Sequence, residues 1–200
     1  MANANRPTGL VPLEYLDGSP YTGKARMFYI ASTDVNAYAI GDPVVMSGDG
    51  DGAGVAGITL ATAGTGNVVL GAIVGAGGIV YGGPGAVPGA IETTVIPATK
   101  TRAYYVLVSD DPNIVYTLQE GGAGAALTAA SIGTNFNLLS GTNTGYVSGW
   151  TLDNASGNTG STRQLQLLGL LQRPDNALGA YARWKVRINY HQYTAGQAGV

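Results

Sequence analysis

The sequence predicts an all-β protein: a small β-barrel or β-sandwich, jelly-roll-like or β-tulip-like, with an extended N-terminal arm and at most one short helix. Glycine supplies 32 of the 200 residues, about twice its usual share, and apolar β-branched residues stand between the glycines. Short apolar segments are separated by turn sequences at regular spacing, as in small barrels and sandwiches. Residues 183–190 also alternate between apolar and polar side chains, which is the period of a β-strand.

Residues 1–26 are predicted to form the arm. Pro7, Pro12 and Pro20 remove backbone donors and fix φ, which makes a regular helix unfavourable here. The apolar side chains of this segment are candidate interface residues: Leu10, Val11, Leu13, Tyr15, Leu16 and Tyr21. An ordinary first strand folded onto its own domain accounts for the same residues equally well, so both interpretations stay open.

The β domain is predicted over residues 27–193. Its strands are apolar or alternating segments bounded by turn sequences such as Gly41-Asp42-Pro43 and Asp110-Asp111-Pro112-Asn113. The predicted strands cover residues 27–31, 44–46, 55–62, 68–74, 104–108, 114–120, 163–171 and 183–190. The segment at 104–108 is a continuous apolar run, which is typical of a strand buried on both faces.

A short helix, a loop and a tail complete the predicted elements. Residues 127–133 predict a single helical turn or little more, because Thr128 can cap it and Gly133 can end it. Residues 82–90 are rich in Gly and Pro and predict a flexible, inserted loop. Residues 194–200 predict a loose C-terminal tail.

Three cations share one face of the last predicted strand: Arg183, Lys185 and Arg187. A solvated strand face is one interpretation of this basic stripe, and docking to an acidic protein surface is the functional one. Nucleic acid ranks third, because no aromatic residues interleave on that face and the net charge of the chain is −2.

Tests for catalytic, cofactor or metal chemistry fail along the whole sequence. The Asp49-Gly50-Asp51 segment lacks the later oxygen ligands of a calcium loop, and Gly52–Gly57 lacks the helix of a dinucleotide fingerprint. His191, the single histidine, is predicted to be a surface or interface imidazole. With no cysteine available either, the sequence predicts no enzyme, no cofactor and no metal.

Composition indicates a protein whose surface is covered by partners. Charged residues make up 11% of the chain, under half of the usual ~25%, and free monomers generally depend on charge for solubility. The N-terminus lacks the apolar core of a signal peptide, and the apolar stretch at 68–81 is interrupted by glycines. We expect a soluble protein made in the cytoplasm, without membrane association.

Several segments, taken in order, resemble the capsid decoration, or cement, proteins of tailed bacteriophages. The N-terminal likeness lies in Gly9-Leu10 through Pro20-Tyr21-Thr22-Gly23, in Phe28-Tyr29-Ile30 and in Gly41-Asp42-Pro43-Val44. The later likeness lies in residues 70–75, 106–112, 173–176 and 184–189. The chain departs from the pattern around residues 78–100.

This resemblance implies a protein without catalysis or cofactor that binds the exterior of the virion capsid. Its partners would be the major capsid protein and further copies of itself, with a trimer favoured and a dimer also open. It would be made in the cytoplasm of the bacterial host and would bind no nucleic acid directly. Two alternatives remain: a tail or baseplate component, and a carbohydrate-binding β module that stacks sugars on Trp150 and Trp184.

Overall fold

The computed structural model describes residues 3–76 and 95–194, together with Gly196 and Gly199. Within these residues the chain forms thirteen β-strands and one 3₁₀ turn. The elements are β1 (Val11–Tyr15), β2 (Arg26–Ile30), β3 (Tyr38–Ala39), β4 (Pro43–Gly50), β5 (Ala56–Leu60), β6 (Gly71–Ala76), β7 (Val95–Ile96), β8 (Tyr104–Ser109), β9 (Ile114–Gly121), the 3₁₀ turn (Ala129–Ser131), β10 (Asn135–Leu139), β11 (Thr151–Asn158), β12 (Leu165–Leu170) and β13 (Arg183–Ile188). The all-β prediction is confirmed, including a small closed barrel.

Two predicted segments lie partly or wholly outside the described residues. The loop predicted at 82–90 lies wholly outside them. Of the predicted tail at 194–200, residues 195, 197, 198 and 200 also lie outside. The predicted helical turn is present as the 3₁₀ turn, where the backbone N–H of Thr128 donates to the hydroxyl oxygen of Ser131 at 3.2 Å.

Strands β2, β5, β4, β6 and β8 close the barrel in that order. Strand β2 runs parallel to β5, and the other neighbours are antiparallel. One hydrophobic core fills the interior. Its buried members are Phe28, Ile30, Tyr38, Val44, Ile58, Leu70, Ile73, Ile96, Val106 and Val108.

Strand β8 is buried on one face only, so the prediction of burial on both faces is wrong. Val106 and Val108 lie in the barrel core, whereas Leu107 between them is exposed. A barrel wall has an inside and an outside, and its strands therefore alternate in burial even where every residue is apolar.

The second sheet contains six strands in the order β1-β9-β11-β10-β12-β13. Strand β13 also pairs with β9, so the pairings from β9 through β11, β10, β12 and β13 return to β9. The predicted alternation of β13 is confirmed over its length, since Trp184, Val186 and Ile188 are buried and the residues between them are not. Tyr190 lies beyond the end of the strand and is only half-buried.

The two hydrophobic cores meet where Val69 and Leu70 pass between them. Val69 packs into the core of the second sheet, and Leu70, the next residue, packs into the barrel core. Their backbone is held from both sides: the N–H of Val69 donates to the carbonyl of Tyr190 at 3.0 Å, and that of Leu70 donates to Val44 at 2.8 Å. Adjacent side chains therefore join the two units into one body.

The N-terminal segment runs across both units before it becomes a strand. Strand β1 pairs antiparallel with β9 of its own chain, as the second interpretation of residues 1–26 expects. Just before it, Gly9 adopts φ +65° and crosses Gly41 at van der Waals contact, so that a Cβ on Gly9 would overlap the carbonyl oxygen of Gly41 and the side chain of Ser148. Only glycine fits this crossing.

Substitution of Gly9 by alanine should destabilise the protein by about 2 kcal/mol or more, because it adds an overlap to the unfavourable positive φ. Gly18→Ala is the matched control. Gly18 also has a positive φ, but open space surrounds it, and its substitution should cost about 1 kcal/mol. Urea unfolding of both variants measures the difference, and equal stability of the two would contradict this account of the crossing.

A carboxylate lies buried at the end of β9. Glu120 is almost fully buried and accepts hydrogen bonds at Oε2 from the indole N–H of Trp184, at 3.0 Å, and from the backbone N–H of Leu127, at 3.1 Å. Its Oε1 atom has no partner in the described structure. Burial raises the pKa of this carboxyl above its ordinary value of 4.5, and the two hydrogen bonds oppose the rise.

Glu120→Gln should therefore stabilise the protein at neutral pH. A raised pKa means that ionisation is less favourable in the folded state, so this group's contribution is greatest at low pH and is lost as pH rises through the folded pKa. Glutamine keeps an acceptor for Trp184 and Leu127 without the charge. Thermal unfolding across pH should show a higher midpoint for the variant at pH 7 and convergence below about pH 4. A pH-independent difference would contradict it.

Candidate interaction surface

The residues predicted to form an interface converge on one surface of the second sheet. We define the N-terminal face as residues 3–16 together with the outer side of strand β13, against which they are held. β1 and β13 flank the first half of β9 on opposite sides, since Thr117 pairs with both Val11 and Lys185. The structure thus brings together two predicted groups that stand about 170 positions apart in the sequence.

The basic stripe binds the N-terminal segment of its own chain. The guanidinium of Arg183 donates to the backbone carbonyl of Arg6 at 2.6 Å and to the hydroxyl of Thr8 at 3.1 Å. Lys185 forms an ion pair with Glu14 at 2.8 Å, in which both side chains are about one-third exposed. The pKa of Arg183 is lowered, first by burial. Arg183 and Lys185 therefore fasten the N-terminal segment to the sheet.

Arg187 is held elsewhere on the same strand. Its Nε donates to the side-chain oxygen of Gln166 on β12 at 2.8 Å. The sequence predicts one basic stripe of three cations. In the structure, Arg183 and Lys185 bind the N-terminal segment, and Arg187 binds the neighbouring strand β12.

A buried glutamine, which the sequence analysis missed, also holds the segment. Gln119 of β9 accepts from the backbone N–H of Arg6 at 2.8 Å and donates to the side-chain oxygen of Asn5 at 2.8 Å. Its side chain is almost fully buried. No local pattern around position 119 marks this role, because the partner lies more than 110 residues away.

The apolar candidates of the segment divide by exposure. Val11 and Leu16 are exposed, and Leu13, Tyr15 and Tyr21 are half-buried. Leu10, which the sequence predicts as an interface candidate, is fully buried in the core of the second sheet, where its side chain packs against its own chain. The exposed members, Val11 and Leu16, give the N-terminal face apolar contact area.

A groove borders this face where the chain turns from β1 towards β2. One part, of about 550 Å³, is lined by residues that include Tyr15, Leu16, Asp17 and Asp111. Lys24 forms a wall of this part and lies 5.5 Å above the ring of Tyr15. Because the walls carry charges of both signs, the groove suits a polar, uncharged or mixed-charge segment of a protein better than a polyanion.

The second part of the groove, of about 420 Å³, contains a buried carboxylate. Asp110 accepts from Arg26 Nε at 2.6 Å and from the hydroxyl of Tyr193 at 3.3 Å, and Arg26 also packs over the ring of Tyr193. The hydrogen bond to Asp110 raises the pKa of Arg26. This cluster is a structural clamp at the junction of the barrel and the second sheet.

The single histidine is buried, so the prediction of a surface or interface imidazole is wrong. His191 forms a β-bridge with Val69 at the seam between the two cores, which removes it from solvent. Its Nδ1 accepts from the backbone N–H of Tyr193 at 3.1 Å. Burial lowers the pKa of this imidazole, so the neutral form is the folded one at physiological pH.

Both tryptophans assigned to sugar stacking are core residues. Trp150 and Trp184 are buried in the hydrophobic cluster of the second sheet, and the indole N–H of Trp184 is occupied by Glu120. In this conformation neither ring offers a face to a ligand.

Two absences concern the part of the chain that the structure describes. No group of three or more His, Cys, Asp or Glu side chains there could hold a metal ion. No described helix is long and apolar enough to span a bilayer.

The fold and the surface define an all-β protein with a closed barrel, a second sheet and an N-terminal segment fastened over it. No family model matches the chain, and no curated protein or solved structure matches it significantly.

Arg183→Ala should loosen the N-terminal segment without unfolding the sheet. It removes two charge-assisted hydrogen bonds, to Arg6 and Thr8, each worth about 1.5–3 kcal/mol when buried and less at this half-exposed site. We expect the amide of Arg6 to exchange at least about tenfold faster by NMR hydrogen exchange.

Arg187→Ala is the control for this prediction, since Arg187 lies on the same strand but its side chain donates to Gln166 on β12 instead of the N-terminal segment. Its effect on the amide of Arg6 should be small. If Arg183→Ala left that amide unchanged, or if both variants accelerated it equally, the fastening role of Arg183 would be wrong.

Proposed function

We propose that this chain is a structural protein of the virion of a tailed bacteriophage. In this proposal it decorates the outside of the assembled head and clamps neighbouring major capsid proteins against the pressure of the packaged DNA. The observation that carries the proposal is the N-terminal face, where apolar side chains are exposed beside cations that mostly have partners within the chain. The resemblance of the ordered sequence segments supports the same conclusion.

The charge arrangement favours a protein partner. Lys185 is paired with Glu14, and Arg183 and Arg187 are hydrogen-bonded to neutral oxygens of the same chain. Nucleic acids and anionic membranes bind through clusters of free cations, whereas three of the four cations of this face already have partners within the chain, and Arg6 is the fourth. Exposed Val11 and Leu16 instead offer the apolar contact that protein interfaces bury.

Because both edges of β1 are largely occupied, we expect this face to bind a partner through its side chains and not by adding a strand to the partner's sheet. Strand β1 uses its backbone on β9, and its other edge is partly covered because Tyr21 donates to the carbonyl of Leu13 at 3.1 Å. The backbone of β1 is therefore already hydrogen-bonded within its own chain, and few of its N–H and C=O groups are free to pair with a strand of a neighbouring molecule. In the proposed mode, the folded face meets the lattice as a rigid surface.

Such a clamp needs no strong single contact. A ligand that binds only the assembled lattice stabilises it by mass action. An interface near the standard size of about 1,600 Å² is sufficient, because a molecule that touches two capsid subunits makes its second contact intramolecularly.

Co-sedimentation with expanded empty heads that lack the protein tests the proposal. The wild-type chain should pellet with intact heads, and Leu16→Asp should weaken binding at least about tenfold by placing a charge in a desolvated contact. Val35→Asp is the control, since Val35 is exposed at the other end of strand β2, away from the groove.

Two outcomes would overturn this proposal. One is wild-type protein that stays in the supernatant while the heads remain intact. The other is localisation of the protein by electron cryomicroscopy to the tail or baseplate of the virion, which would assign it to that alternative class.

A further inference from the structure

The loop between β12 and β13 exposes two large apolar side chains on its crest. Leu178 is 53% exposed and Tyr181 is 43% exposed. Gly179 and Ala180 separate them, so the crest from Leu178 to Tyr181 carries no charged side chain, and its one polar side-chain group is the hydroxyl of Tyr181. Neither Leu178 nor Tyr181 belongs to a hydrophobic core of the described chain.

Asn176 closes the base of this loop. Its side-chain nitrogen donates to the carbonyls of Leu171 and Arg183, each at 2.8 Å, and its side-chain oxygen accepts from the backbone N–H of Arg183 at 2.8 Å. One amide side chain thus joins Leu171, the first residue of the loop, to Arg183, the first residue of β13.

Asn3 fixes the crest in the same way. Its side-chain nitrogen donates to the carbonyls of Ala177, at 2.8 Å, and Ala180, at 3.0 Å, and its oxygen accepts from the N–H of Ala177 at 3.0 Å. Two asparagines therefore supply six hydrogen bonds to a short loop. A loop that is ordered before binding loses little conformational entropy when it binds.

Backbone strain accompanies this order. Tyr181 has φ +61° and is the one non-glycine residue with positive φ in the described part of the chain. Such a conformation costs about 1–3 kcal/mol and persists where the surroundings enforce it, most often at functional positions. Here it holds an aromatic ring at the surface, where no core contact explains it.

The charges of the loop cancel within it. Arg173 and Asp175 form an ion pair at 3.0 Å, with side chains 57% and 67% exposed. The pair brings one charge of each sign to the same edge of the loop. Across a twofold axis, the cation of one copy can face the anion of the other, so this edge is complementary to itself.

We propose that this loop is a self-association site whose occupant is the same loop of a second copy of the chain. About a twofold axis, Leu178 of one copy packs against Tyr181 of the other and the reverse, with the small residues Gly179 and Ala180 allowing close approach. Because the patch contains one aliphatic and one aromatic side chain, a twofold rotation places the aliphatic group of each copy against the aromatic ring of the other. This proposal does not depend on the capsid function.

Other occupants fit the crest less well. A nucleic acid or an anionic membrane requires an excess of cations, and the charge of Arg173 is balanced by that of Asp175 in the same loop. A sugar stacked on Tyr181 requires hydrogen-bonding side chains around the ring, and the neighbouring crest residues are Gly179 and Ala180. The crest alone is smaller than a standard interface of about 1,600 Å², so the association should be weak in dilute solution.

Sedimentation velocity of the full chain from micromolar to millimolar concentration tests the proposal. We expect reversible self-association of the wild type. Leu178→Asp and Tyr181→Ala should each weaken it at least about tenfold, because they remove the two central apolar contacts. Tyr146→Ala and Val35→Asp are matched controls at side chains that are 71% and 79% exposed elsewhere, and they should leave it unchanged.

Folding is checked by near-ultraviolet circular dichroism, so that a loss of association in a folded variant reports on the loop. A wild type that stays monomeric over this range, or association unaffected by Leu178→Asp, would overturn the proposal. Glycan binding that is lost in Tyr181→Ala, without self-association, would overturn it as well. Binding to heads is measured separately, so failure here and failure of the capsid proposal are distinguishable.

Discussion

Closure of the strand pairings constrains everything else in this protein. The barrel returns from β8 to β2, and the second sheet returns from β13 to β9, so most strand backbone is hydrogen-bonded on both sides. Closed sheets have few edges to which another strand can add. Any segment or partner that docks afterwards must therefore be held by side chains.

The N-terminal segment shows how the chain meets that constraint. Within this segment, β1 alone pairs with β9. The residues before β1 are held by hydrogen bonds to the side chains of Arg183 and Gln119 and by the close approach of Gly9 to Gly41. Three of the four cations of this face, Arg183, Lys185 and Arg187, have partners within the chain. Isolated apolar groups are exposed beside them, and both proposed interactions use exposed apolar groups.

Sequence patterns predicted the features that depend on near neighbours. The alternation of β13 and the single turn near Thr128 follow from local periodicity and capping, and the structure confirms them. The turn at Asp110–Asn113 is also present, closed by a hydrogen bond from the N–H of Ile114 to the carbonyl of Asp111. These signals are encoded within a few residues of each other.

Features that depend on distant partners escaped prediction. The burial of His191 comes from its bridge to Val69, and the fastening by Gln119 comes from Arg6, both more than 110 positions away. The parallel pairing of β9 with β11 and the division into two cores likewise have no local signature. The local sequence around a polar residue in a strand does not indicate whether a residue distant in sequence will pack over it and bury it.

The seam at Val69 and Leu70 has a consequence for how this fold tolerates changes in length. Each residue faces a different core, so inserting or deleting one residue immediately before them would exchange the two side chains and misalign both cores at once. A change in length at the crest of the β12–β13 loop would not misalign the cores in this way, because Leu178 and Tyr181 belong to neither core. We expect natural variants of this chain to keep the spacing of the seam.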